Sequence, residues 1–190
     1  MKARSLITIP LVLCLAAGGA GASSIGVFFA PDGSDCDGSA GAFMPFLTYF
    51  GAVLGGDAAA TGITGAEFRV DGYDPAWFNT VTQAPGSNLS LGNPIQGGAN
   101  IAFPTCQTGS FVLLYTVQSL ATSPPGTHTF TVNRHTMPSN PNFQCQLVTL
   151  CDVQFTLLCV RAGQAFLNSA TPCSIGVESR SWSAVKRLFD

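Results

Sequence analysis

Four groups of residues in this chain have types and spacings that chemistry can use. The stretch Asp32-Gly33-Ser34-Asp35-Cys36-Asp37-Gly38 offers closely spaced side-chain oxygens, as calcium loops do. An EF-hand loop needs a ligand at position 1, glycine at position 6 and glutamate at position 12. Setting Gly38 at the glycine position puts Gly33 and Met44 where the first and last ligands belong, so the stretch reads as Asp-Gly turn chemistry. Glu67, Asp71 and Asp74 contain the makings of a glycosidase carboxylate pair. Asp71 and Asp74, however, flank the turn Gly72-Tyr73-Asp74-Pro75, which explains them more simply. His128 and His135 lie by a Thr-rich run and a Pro-rich loop, and no serine is singled out as a nucleophile beside them. Tyr73, Trp77 and Phe78 form the fourth group, a candidate platform on which sugar rings would stack. The competing reading has Trp77 and Phe78 plugging the end of a core, and it is the preferred one.

Outside these groups there is no G-x-S-x-G elbow, H-E-x-x-H pair or P-loop. The chain reads as non-catalytic, with no cofactor site and no metal site. Six cysteines (Cys36, Cys106, Cys145, Cys151, Cys159 and Cys173) lack the paired C-x-x-C spacing of structural zinc. They read as three disulfides, with 15 possible connectivities. Short loops close most readily, so the preferred pairing joins the four C-terminal cysteines among themselves and leaves Cys36 to Cys106. Each bridge adds about 2–4 kcal/mol by restricting the unfolded chain.

A disulfide framework requires an oxidising compartment, and the start of the chain supplies the route. Lys2 and Arg4 precede an apolar run from Leu6 to Ala17, then the small residues Ala20-Gly21-Ala22. This is the layout of an export signal cleaved after Ala22. The run falls short of the ~20 apolar residues a spanning helix needs, so no transmembrane anchor is expected after cleavage. Cys14 lies inside the run after the bulky Leu13 and does not suit a lipoprotein site. Cleavage leaves 168 residues, enough for one domain with a full core. The body from residue 23 to 173 carries three arginines against eight acids, while residues 174–190 are net positive by one. So acidic a body lacks the basic footprint of a nucleic-acid binder.

The elements that must position these residues are strands. Gly, Pro, Ser, Thr and Asn clusters separate short apolar or alternating runs, the pattern of an all-β sandwich or barrel. Strands are expected over 24–30, 43–53, 63–70, 99–103, 111–120, 127–132, 153–160 and 164–168, within a total of about nine or ten. In the third, Ala66, Phe68 and Val70 face one way, Glu67 and Arg69 the other. Pro45 implies that the second starts late or lies at an edge. The only helix candidates of any size are the signal and the final tail.

The segment GAEFRVDGYDP, residues 65–75, resembles the strand-to-turn segment of cohesin-type modules, and IAFPTCQTGSFVLLYTVQSL is similar to the paired strands that follow in them. The stretches GITGAEFRVDG, NIAFPTCQTG and PSNPNFQCQLVTLCD, with a terminal W-x-x-[VI]-K-x-L-[FY], resemble a group of secreted bacterial proteins. The resemblance implies an exported bacterial cohesin-like or immunoglobulin-like antiparallel sandwich, and brings no activity with it. Cohesins bind dockerins on one sheet face; true cohesins are not normally stapled by three disulfides, and dockerin binding is not carried over.

The tail, VESRSWSAVKRLFD, is unlike the rest. Written as a helix, Trp182, Val185, Lys186 and Phe189 fall at i, i+3, i+4 and i+7 with Leu188 beside them. So short a helix is marginal alone in water and needs something to dock on: its own sandwich, export or surface-attachment machinery, or a partner groove or membrane. The expectation is a secreted or cell-surface structural or adhesive module. Residues 1–22 are the signal peptide, 23–173 the sandwich and 174–190 a docking or sorting tail. The partner is a protein or cell-surface component, with a polysaccharide-binding module as the alternative and a hydrolase a distant third.

Overall fold

The computed structural model describes residues 22–171 and Cys173. Among them run β1 (Ser24–Phe28), β2 (Asp37–Gly38), β3 (Pro45–Val53), α1 (Gly56–Thr61), β4 (Ile63–Asp71), β5 (Phe78–Gln83), β6 (Leu89–Asn93) and β7 (Gly98–Gln107). There follow β8 (Phe111–Leu120), β9 (His128–Asn133), β10 (Leu147–Leu150), β11 (Leu157–Cys159), β12 (Arg161–Ala162) and β13 (Gln164–Leu167). The chain is an all-β sandwich stapled by disulfides.

The first sheet has the order β12-β1-β3-β8-β5. In the second, β4 is the hub. Its first half pairs with both β7 and β10, and its last three residues pair with β9. Strand β6 lies outside β7, β11 outside β10, and β13 and β2 continue from β9. Between the sheets lie Ile25, Phe50, Phe68, Leu114, Tyr115, Val117 and Phe130, all fully buried. Phe68 makes edge contacts with Phe50 and Tyr115 at centroid distances of 6.1 and 6.0 Å, a geometry aromatic pairs favour.

The alternation along β4 decides its two faces. Ala66, Phe68 and Val70 enter the core, while Glu67, Arg69 and Asp71 face outward. Outside, Arg69 grips Asp71 through Nη2 to Oδ2 at 2.8 Å, and Asn133 donates to the same oxygen at 2.8 Å.

Three expectations are corrected. The disulfides join Cys36 to Cys173, Cys106 to Cys151 and Cys145 to Cys159. Loop entropy weighs only chain length, whereas strand pairing fixes which Cα atoms approach. Parallel pairing of β13 with β2 brings Cys173 to Cys36, and the Leu147–Cys159 register brings Cys145 to Cys159. Of the four C-terminal cysteines, only two pair with each other. Second, the run 153–160 is a strand only over Leu157–Cys159. Asp152 accepts the Thr156 N–H at 2.7 Å and Phe155 takes a φ of 51°, so a turn occupies its first half and Val153 is exposed. Third, β2, β5, β6, β10, β12 and the one-turn-plus helix α1 fall outside the expected elements.

Candidate functional site

The outer face of the second sheet carries a shaped surface that its register explains. In an antiparallel ladder, directly paired residues share a face. Leu89 pairs with Ala102, Ala102 with Gly65, Gly65 with Thr149 and Thr149 with Leu157. Two residues along, Leu91 pairs with Asn100, Asn100 with Glu67, Glu67 with Leu147 and Leu147 with Cys159. Apart from Leu91 and Cys159, which end the second row at its two edges, these residues line a groove of about 240 Å³. Gly65 keeps the floor low: a Cβ there would stand 2.8 Å from the Ile101 carbonyl oxygen.

The connection from β9 to β10, residues 134–146, forms the wall. The Thr136 N–H reaches the Gly97 carbonyl at 3.0 Å, His135 Nδ1 accepts the Met137 N–H at 2.9 Å, and Gln146 donates to the Val160 carbonyl at 2.6 Å. Arg134 is held within the same connection by the Phe143 carbonyl and the Gln144 amide oxygen. The Cys145–Cys159 bridge fastens its far end to β11.

From this wall the Ser139 N–H donates to Glu67 Oε2 at 2.9 Å. Glu67 is 5% exposed, and its Oε1 has no donor among the described residues. Leu147, beside it, is 2% exposed although it stands outside the inter-sheet core. At the open side, Leu89 and Leu91 are 47% and 56% exposed.

The fold is cohesin-like. It is similar to that of a cohesin module from a family 33 glycoside hydrolase of Clostridium perfringens ATCC13124, with a TM-score of 0.50 at 12% identity, covering 78% of this chain and 97% of that module. A second similar structure is the seventh ScaB type I cohesin from Pseudobacteroides cellulosolvens, with a TM-score of 0.49 at 10% identity over 80% of this chain and 96% of that one. No family model matches the chain, and no curated protein sequence does.

The remaining chemistry-bearing residues do not join the groove of this cohesin-like sandwich. Trp77 is 7% exposed, set edge-on to Phe46 at 5.4 Å and against His128 at 4.6 Å. Tyr73 packs on Phe130 at 4.6 Å, and its hydroxyl is bonded to the buried Thr48. The ring faces that a sugar would need are taken by neighbours; Phe78, not Trp77, is the open ring. Burial pushes the Tyr73 phenol well above its ordinary range, and the Thr48 bond offsets this only in part.

The acids likewise serve local structure. Asp74 Oδ1 accepts the Ala76 N–H at 2.8 Å in the turn after β4. Asp71 is engaged with Arg69, and Asp71 and Glu67, four strand positions apart, stand about 13 Å from each other at the usual rise. That exceeds the ~5–9.5 Å of glycosidase pairs. In the aspartate-rich stretch, Asp32 is lowered by the Ser34 hydroxyl and N–H, Asp35 accepts the Asp37 N–H at 2.9 Å, and Asp37 accepts the Cys173 N–H at 2.9 Å. His128 Nδ1 lies 3.3 Å from the Gly72 carbonyl oxygen. Trp182, Val185, Lys186, Leu188 and Phe189 lie outside the described residues.

Sequence reading weighed Glu67 only as half of a carboxylate pair, and it missed Leu89 and Leu91 because β6 was not anticipated. The alternation in Leu89-Ser90-Leu91 before the turn at Asn93-Pro94 was the available signal.

Proposed function

We propose that this chain is an extracytoplasmic, non-catalytic module that receives a protein partner on the outer face of the second sheet, with residues 174–190 as a separate docking or sorting tail. The observation that carries the reading is the groove over β4, where apolar side chains stand exposed beside a fixed, disulfide-fastened wall. Exposed leucines beside a concave surface are what a protein interface uses at its centre. The fold likeness to a cohesin module supports the class of function without naming a partner. The disulfides, and the signal-like pattern of residues 1–22, support a place outside the cytoplasm.

The test is site-specific photo-crosslinking in the full chain. A benzophenone amino acid replaces Leu91 on the outer face of the second sheet, or Leu47 on the outer face of the first. Incubated with the extracellular and surface fractions of the native producer, the Leu91 derivative should give one discrete protein adduct and the Leu47 derivative none. Equal adduct patterns from both positions, or none from either, would overturn the reading.

A further inference from the structure

Resting on that reading, we infer that the groove is a recess for one cationic side chain: a lysine or arginine, flanked by apolar residues, on a segment of a second protein. Glu67 is the reason. Its side chain is nine-tenths buried, lines the groove, and holds only one of its two oxygens in a hydrogen bond. A buried carboxylate is stable when paired and costly when not. The described residues supply no counter-charge. Only Arg69, Arg134 and Arg161 among them are permanently positive. Arg69 is committed to Asp71, Arg134 to its own connection, and Arg161 pairs with Ser24 in the other sheet.

The size of the recess agrees. About 240 Å³ lies at the small end of ligand sites, a size that one side chain fills. A lysine or arginine can lay its methylene stem on apolar surface while its head finds a carboxylate. Leu147 supplies that surface inside the groove, and the exposed Leu89 and Leu91 receive the flanking residues. The body, with eight acids against three arginines between residues 23 and 173, draws a basic segment to this surface.

The experiment uses the full mature chain and an array of fluorescein-labelled apolar heptapeptides whose central residue is lysine, arginine, norleucine or glutamate. Binding is read by anisotropy at low and high salt. Lysine and arginine peptides should bind at least tenfold tighter than norleucine ones, with the gap narrowing in salt. Glu67→Gln should abolish the gap, Glu67→Asp should keep part of it, and Leu91→Ser should weaken every peptide alike. Melting temperatures of the variants guard against misfolding. Equal binding of lysine and norleucine peptides, still weakened by Leu91→Ser, would reject the cationic anchor and leave the protein-binding face standing. Binding that ignores Leu91→Ser, or no binding by any peptide, would reject both. Tighter binding by a peptide of residues 177–190 than by any array member would reassign the recess to the tail of a copy of this chain, overturning the second-protein partner.

Discussion

Tyr73 sits among three rings, Phe50, Trp77 and Phe130, and its hydroxyl bonds to a fully buried threonine. That environment makes a titration prediction. Burial raises the Tyr73 phenol above its ordinary value of 10.0, and burial raises Tyr115 as well, each partly opposed by a hydroxyl partner, Thr48 and Ser90. A group whose folded pKa is raised contributes stability in full below the unfolded value. That contribution is lost as pH climbs from about 10 toward the folded value. Urea unfolding should therefore show a free energy that falls above pH 10 by up to about 1.4 kcal/mol per pH unit for each tyrosine. Tyr73→Phe should shallow that slope by about half, at a cost of roughly 1 kcal/mol near neutrality. A slope unaltered by the substitution would remove Tyr73 from the account. At this scale the preferred reading holds for one ring and fails for the other: Trp77 packs inward on Phe46 and Phe130, while Phe78, expected beside it in the core, is exposed. Neighbouring residues of an extended chain point to opposite sides, so one ring enters the core and the next leaves it.

Strands were legible where one face is buried and the other wet. The alternation of β4 follows from that condition, and β3, β8 and β9 lie close to their expected spans. Strand β5 is mostly exposed, and the apolar alternation of β6 is confined to Leu89 and Leu91, too short to mark a strand by itself. The reverse error, a strand over 153–160, came from an apolar run that a local bond to Asp152 converts into a turn. Between β4 and the aromatic cluster stands Gly72, with a φ of 109° and the Thr129 carbonyl oxygen 2.1 Å from where a Cβ would sit. Backbone cannot yield there as a flexible side chain would. Gly72→Ala should destabilise the fold by at least 3 kcal/mol, the sum of an unfavourable backbone region and a forced shift of β9. Gly86, with a φ of 83° and open space around it, isolates the first effect; its alanine variant should lose only about 1–2 kcal/mol. Chemical denaturation of both variants separates the contributions, and equal losses would mean that the contact with Thr129 is relieved at no cost.

At the scale of the whole molecule, the covalent frame and the tail were read from opposite kinds of signal. That six cysteines form bridges was legible from their even number and the expectation of export; their partners were not, because strand order is set by pairing across 137, 45 and 14 residues. Loop size then orders the bridges by strength. The loop-entropy relation gives about 5 kcal/mol for Cys36–Cys173, about 4 for Cys106–Cys151 and about 3 for Cys145–Cys159. Paired Cys→Ser variants should lose stability in that order, with the Cys145–Cys159 variant additionally loosening the wall above Glu67. The tail begins directly after the strongest of these anchors, since Cys173 is bonded to Cys36 and its N–H to Asp37. The chain up to Cys173 is therefore fastened beside β2, on the far side of β9 from β4. A sorting role and a structural role then have different consequences for one double variant, Trp182→Ala with Leu188→Ala. If the tail is read by attachment machinery, the protein should move from the surface fraction to the medium with its melting temperature within about 2 °C of the parent, because surface changes far from the core alter stability by no more than ~0.5 kcal/mol. Unchanged retention with a melting temperature several degrees lower would instead place Trp182 and Leu188 against the sandwich, and the attachment role would be withdrawn.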